Sequence, residues 1–190
     1  MRTAVFYATR EGQSEHVAQR VASDLRSHRI EADVVNVKDI RGRIDWDAYD
    51  AAFVIASVHA GHHEKEMIEF VKRSKPELER LQASFLSLTL SQAGAELDTN
   101  TPAQREAAHA DALRMVADFA NETGWRFEHS LTVAGALVYS KYNFLVKWIM
   151  KLIAHKAGFD GPTSRDYEFT NWPAVDEFVR EFTPPASGAQ

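Results

Sequence analysis

The stretch Thr3-Ala4-Val5-Phe6-Tyr7-Ala8-Thr9-Arg10-Glu11-Gly12-Gln13-Ser14 (residues 3–14) decides the fold. Its first half, TAVFYA over Thr3–Ala8, is a short apolar run of strand-forming residues that breaks off at the polar Thr9-Arg10-Glu11-Gly12. A helix follows: Ser14 is placed to cap it, and Val17, Ala18, Val21, Ala22 and Leu25 recur at the spacing of one helix face. Strand, tight polar loop and helix form the opening unit of an α/β sheet, and the chain repeats the pattern. Ala32–Val37 reads as a second strand, its interleaved polar residues suiting a place near a sheet edge. Ala51–Ser57 (AAFVIAS) is apolar almost throughout, as a parallel strand covered on both faces requires. The helix after it carries Met67, Ile68 and Val71 on one face.

Ser84–Leu90 (SFLSLTL) reads as a fourth strand and Ser130–Gly135 (SLTVAG) as a fifth. Between them a loop over Ser91–Asn100 leads to Thr101-Pro102-Ala103-Gln104, a capping box with proline at the first helical position. That helix is expected to present Leu113, Val116, Ala117 and Ala120 inward and to stop near Gly124. The last helix opens at Asn171-Trp172-Pro173 and turns Val175, Phe178, Val179 and Phe182 inward. Five strands alternating with helices predict a doubly wound, five-stranded parallel sheet. The one irregular stretch, residues 136–170, is far longer than an ordinary strand–helix connection.

Composition sets the outer bounds. A chain of 190 residues with 45% apolar and 26% charged side chains suits one soluble domain, predicted over residues 1–182, with a flexible tail over 183–190. The absence of cysteine excludes disulfides, thiolate nucleophiles and cysteine-ligated iron–sulfur clusters, and fits a reducing, cytoplasmic compartment. Twenty-two basic against 27 acidic residues give a net charge of −5 and no case for nucleic acid as a partner. No signal peptide is expected, since the apolar run Ala4–Ala8 is too short. No membrane span is expected either, since the most apolar helical stretch, Phe144–Ala154, is interrupted by Lys147 and Lys151.

In open α/β sheets ligands bind beyond the carboxyl ends of the strands, so the first loop is where chemistry is sought. Thr9-Arg10-Glu11-Gly12-Gln13-Ser14 is neither a Walker loop nor a dinucleotide G-x-G-x-x-G motif. It is T-x-x-G-x-S, two hydroxyl residues flanking a glycine at a helix N-terminus. Such a loop can wrap a terminal phosphomonoester with backbone N–H groups, hydroxyls and the helix dipole, without a lysine partner. The same residues also serve simply as turn and cap.

Tyr7–Ser14 together with Ala56-Ser57-Val58-His59-Ala60-Gly61-His62 is similar to the flavodoxin-like, menaquinone-dependent protoporphyrinogen IX dehydrogenases. So are Ala134–Tyr139, Trp148–Ile153 and Phe169-Thr170-Asn171-Trp172, and the matches run in order from Met1 to about Phe182. The resemblance implies a strand order of 2-1-3-4-5 and an FMN cofactor. It implies that Thr9, Arg10, Glu11, Gly12, Gln13 and Ser14 hold the phosphate. Ser57, Val58, His59 and Gly61, with Thr89, Leu90, Ser91, Gln92 and Ala93, would flank the isoalloxazine. It further implies oxidation of protoporphyrinogen IX to protoporphyrin IX in haem biosynthesis, with electrons passed to a membrane quinone. Two departures stand out. Neither flanking loop offers an aromatic ring to stack on a flavin, and Ser91–Glu96 holds no basic residue for a porphyrin carboxylate.

The cluster His59, His62 and His63 beside Glu64 and Glu66 fits three readings: a metal site, contact with flavin or substrate, or a surface role. Adjacent His62 and His63 would point apart, so no metal is assigned. From His129 through Phe159 there are four lysines and no acid, +4 in a chain whose remainder is −9. Lys147, Lys151 and His155 share one helix face, while Phe144, Leu145, Trp148, Ile149, Leu152 and Ile153 cover most of the rest. Such a helix either covers a core or makes a second apolar contact, with lipid on the inner face of the cell membrane, with a quinone, or with a second copy in a homo-oligomer. Tyr139, Tyr142, Lys147, Trp148, Lys151 and His62 are the candidates for that substrate or membrane side, and no catalytic side chain is assigned. Two other functions fit the same sequence: a non-catalytic FMN electron carrier, and a flavin quinone reductase with another substrate. A phospho-acceptor domain does not fit, because Ser57 ends the third strand where an aspartate is needed.

Overall fold

The computed structural model describes residues 1–156 and 158–182; within the helix Phe144–Lys156 the side chains of Phe144, Leu145, Val146, Ile149, Ile153 and Lys156 are outside the description. The expected tail, 183–190, also lies outside the described residues.

Strands β1 (Arg2–Tyr7), β2 (Glu31–Asn36), β3 (Ala51–His59), β5 (Gln82–Thr89) and β6 (His129–Ala134) form a parallel sheet in the order β2-β1-β3-β5-β6. This is the expected 2-1-3-4-5 order. A two-residue strand β4 (His62–His63) folds back antiparallel on the end of β3. Alternation along the strands sends side chains to two layers. Val5, Tyr7, Phe53, Ile55, Leu86 and Val133 face helices α1 (Gln13–Ser27) and α6 (Trp172–Phe182). Ala4, Phe6, Ala52, Val54 and Phe85 face α2 (Lys65–Arg80) and α4 (Pro102–Thr123). The apolar stripe Val17, Ala18, Val21, Ala22 and Leu25 of α1 is fully buried.

Three local expectations are corrected. The segment after β5 is no simple loop: a short helix α3 spans Leu90–Glu96, capped by the Thr89 hydroxyl, which accepts from Ser91 N at 3.2 Å. The capping box of Thr101 and Gln104 forms as expected, but α4 buries Ala112, Met115, Val116 and Phe119, while Leu113 and Ala117 are exposed. The aromatic pair Phe85–Phe119, stacked at 4.3 Å, sets the helix rotation, because the larger side chains take the interior. Ser14 does not cap α1. Gly12 holds that position at φ +106°, and Ser14 sits inside the first turn, fully buried, its hydroxyl hydrogen-bonded to that of Ser57.

The long connection after β6 builds a satellite layer. Strand β7 (Ala136–Leu137) pairs antiparallel with β8 (Tyr167–Glu168), and between them lie a 3-10 turn, Tyr139–Lys141, and helix α5 (Phe144–Lys156). Its own core contains Leu137, Tyr139 and Ala154, packed by Leu90, Tyr142, Met150, Phe159, Tyr167 and Phe169.

Candidate functional site

The chain leaves β1 for β2 on one side of the sheet and reaches β3 on the other, so the β1/β3 crevice is the topological switch point. Over it, between the loops that follow β1, β3 and β5 and the satellite layer, lies a cavity of about 830 Å³. That is ample for a small-molecule site.

The first wall is the loop Thr9–Gly12. Thr9 Oγ1 accepts from Gly12 N at 2.8 Å and closes the turn. Two ammonium groups hold loop carbonyls: Lys38 Nζ donates to Thr9 O at 2.9 Å, and Lys141 Nζ donates to Glu11 O. The first-turn amides of Gln13, Ser14 and Glu15 have no hydrogen-bond partner among the described residues. Free amides, the positive end of a 15-residue helix and a glycine without Cβ form a donor set that fits a phosphomonoester. Gln13 faces outward and ties the loop to the satellite layer, donating to Glu168 Oε1 at 2.8 Å and Thr170 Oγ1 at 2.7 Å.

The second wall is the end of β3 and its hairpin. Ala60 and Gly61 both have positive φ, +52° and +83°, the signature of a tight two-residue turn. Val58, His59 and Gly61 line the cavity. His59 Nε2 lies 3.5 Å from Glu11 Oε2 and 3.5 Å from Glu64 Oε1. Glu64 is only 1% exposed, and its other oxygen accepts from Ser57 N at 3.1 Å. The neighbouring histidines part company: His62 is exposed and off the cavity, whereas His63 is buried. His63 Nε2 bonds Ser87 Oγ at 2.8 Å, and its ring packs on Phe85 and Phe119. Burial, and then the charges of His59 and His62, push its pKa down to about 4, so the ring is neutral.

The third wall comes from β5 and α3. Thr89, Leu90 and Ser91 line the cavity. Gln92 and Ala93 do not. Gln92 Oε1 accepts from Thr132 Oγ1 at 2.8 Å, and Ala93 is buried, because the helical turn rotates both away from the opening.

The satellite layer closes the site with Tyr142, Met150 and His155. Tyr142 thus supplies an aromatic ring that the flanking loops lack. Its hydroxyl is pushed up to about 12 by burial first and by the nearby Glu11 carboxylate second, so it remains a neutral phenol. Tyr139, a candidate for the substrate or membrane side, is instead a core aromatic: it is fully buried, edge-on to Tyr142 and Tyr167. On the outer face of α5, Trp148 is 58% and Leu152 46% exposed, beside the exposed Lys151 and the partly exposed Lys147. The side chains of Phe144, Leu145, Ile149 and Ile153 lie outside the described residues. Lys38, Met115, Lys141 and Met150 are among the site residues the sequence reading missed. Lys141 lies 130 positions from its partner Glu11, and no local pattern announces such a contact.

Comparison with known proteins agrees with this geometry. A family model described as a flavodoxin domain matches residues 4–164. A curated relative from Escherichia coli K12, named protoporphyrinogen IX dehydrogenase [quinone], is 30% identical over 181 residues, covering 95% of this chain and 94% of the relative. A relative of the same name from Leishmania major is 27% identical over 179 residues, 94% of this chain and 73% of its own. Among solved structures, oxidised flavodoxin 1 from Bacillus cereus aligns over 96% of this chain and 97% of its own with a TM-score of 0.52 at 13% identity. A short-chain flavodoxin associated with a bacterial microcompartment aligns over 96% of each chain with a TM-score of 0.55 at 13% identity. The structural likenesses speak for the fold alone.

Proposed function

This chain belongs to the flavodoxin-domain family, and from that premise we propose that it is an FMN-dependent dehydrogenase of protoporphyrinogen IX that passes electrons to a membrane quinone. The observation that carries the reading is the 830 Å³ cavity, closed on one side by the satellite layer and on the other by the phosphate-type loop. An electron carrier needs only an exposed flavin edge and a docking face. A walled cavity suits an enzyme that holds a second flat molecule against the cofactor. The names of the two curated relatives support the choice of substrate and acceptor.

FMN, when bound, supplies the two-electron redox chemistry. The chain's own residues bind and orient. The free amides of Gln13, Ser14 and Glu15 would take the phosphate, and Val58, His59, Gly61, Thr89, Leu90 and Ser91 would border the ring. Met115, Leu90, Tyr142 and Met150 provide apolar contact for a tetrapyrrole. The bases missing from Ser91–Glu96 have counterparts elsewhere: Arg10 from the first loop and His155 from α5 both reach the cavity and can meet propionates. No described helix is long and apolar enough to cross a membrane. Access to quinone is therefore assigned to the outer face of α5, where exposed Trp148 and Leu152 adjoin lysines suited to an anionic lipid surface. A cytoplasmic enzyme held peripherally on the inner membrane face, at the porphyrin-forming step of haem synthesis, is the resulting proposal.

The test is a flavin spectrum of the purified protein, followed by anaerobic turnover of protoporphyrinogen IX with a menaquinone analogue. Porphyrin fluorescence should appear in step with quinone reduction, and only with FMN bound. FMN-loaded protein that reduces quinone from other donors but leaves porphyrinogen untouched would reassign it as a quinone reductase of different substrate.

A further inference from the structure

We propose that Lys141, a residue of the satellite layer, is the cation that meets the cofactor phosphate, so that cofactor binding and the placement of the cavity's outer wall are one event. The inference rests on the FMN reading above and adds a residue that the loop pattern does not contain. Lys141 ends a 3-10 turn that is fixed from several sides. Ser140 donates from both N and Oγ to the Asp166 carboxylate, at 2.8 and 2.6 Å, and Tyr139 is sealed in the satellite core. From that anchor the Lys141 ammonium reaches Glu11 O and lies 3.3 Å from where a Cβ on Gly12 would stand. It therefore sits against the one position of the loop that has no side chain.

Of the two ammonium groups that hold the loop carbonyls, Lys141 is the one without a carboxylate partner among the described residues. Lys38, the other ammonium on the loop, is already paired with Glu66 at 3.6 Å. The Glu11 carboxylate faces His59, and Asp166 is occupied by Ser140. Among the described residues no carboxylate lies within 4.0 Å of Lys141 Nζ, whose partner is the neutral Glu11 carbonyl. A phosphate dianion at the free amides next to Gly12 is a stronger acceptor than that carbonyl, and the flexible lysine stem lets Nζ turn to it. The very next residue, Tyr142, is a cavity wall, and Met150 follows on α5. Linkage makes the effect reciprocal: a phosphate that holds Lys141 steadies the wall, and a steadied wall tightens cofactor binding.

The experiment compares FMN with riboflavin, which lacks the phosphate, by quenching of flavin fluorescence on the apoprotein of wild type, Lys141→Met and Lys141→Arg. Lys141→Met should lose roughly tenfold in FMN affinity, equivalent to about 1.4 kcal/mol, with riboflavin affinity unchanged. Lys141→Arg should keep most of the FMN preference, and the salt dependence of FMN binding should flatten in Lys141→Met. As a second readout, FMN should slow chymotryptic cleavage within residues 142–156 in wild type and less so in Lys141→Met. An unchanged FMN-to-riboflavin ratio in Lys141→Met, with wild type still preferring FMN, overturns the inference and spares the cofactor assignment. A wild type with no preference for FMN overturns both.

Discussion

His63 shows how one side chain can be fixed by its surroundings against its own chemistry. A histidine in a cluster of three invites a metal or catalytic reading, yet its hydrogen bond to Ser87 and its packing on Phe85 and Phe119 make it a core residue. Its pKa falls from 6.5 to about 4 because the interior disfavours the charged ring, and His59 and His62 add like charge. Between those two values the unfolded chain binds more protons than the folded one, so stability rises with pH across that window. It is complete above 6.5 and is lost as pH falls toward 4. The loss attributable to His63 between about pH 7.5 and about pH 5 is about 2 kcal/mol. His63→Gln removes the titration while leaving a side chain able to bond Ser87. Urea unfolding at both pH values should give a smaller acid loss in the variant; equal losses would place the acid sensitivity in other groups.

At the scale of elements, helix α5 carries two unlike faces. Met150 and Ala154 turn inward, to the cavity and the satellite core, while Trp148, Lys151 and Leu152 face outward. An exposed tryptophan beside lysines suits the interface of an anionic bilayer, where each lysine is worth on the order of 1 kcal/mol. The double change Lys147→Glu with Lys151→Glu should release the protein from anionic vesicles at low salt. It should leave FMN content nearly as in wild type, since neither residue touches the phosphate loop. Vesicle sedimentation checks this, and wild type that stays in solution with every anionic lipid tried would make the outer face of α5 a contact for a protein partner instead. The lysine that does reach the loop, Lys141, belongs to the preceding turn, so the proposed cofactor and membrane contacts should be separable by mutation within one insertion.

Across the whole molecule the site is assembled from distant segments: the β1–α1 loop, the end of β3, the start of α3, one face of α4 and the satellite layer. A ligand spanning them opposes global unfolding, and at about a hundredfold excess over Kd it adds about 2.7 kcal/mol. FMN should therefore raise the melting temperature of the apoprotein, whereas FAD at equal concentration should raise it less. The reason is that the loop offers one free-amide turn for a terminal phosphate and no glycine path for a pyrophosphate. Thermal melts with FMN, FAD and riboflavin decide it, and an FAD shift equal to that of FMN would count against a terminal-phosphate site.

By itself the sequence determined the parallel sheet, the buried stripe of α1, the capping box at Thr101 and the glycine turn at Gly12, because each is written in residues within one or two turns of one another. Hydrophobic period and cap chemistry are local quantities. Arg10 and Glu11 of the first loop, Val58, His59, Gly61 and Thr89–Ser91 lie at the cavity, since strand ends in such a sheet converge on one edge. Only the tertiary structure decided the rest. The rotation of α4 follows from the stacking of Phe119 on Phe85, and the interior place of Tyr139 from a small core closed by β8. Gln92 turns away from the cavity because Leu90–Glu96 coils into a helix, and Lys141 reaches the first loop through a contact made 130 positions away. Those outcomes depend on which surfaces remain to be filled after the sheet has formed, and packing of that kind has no period for a sequence to display.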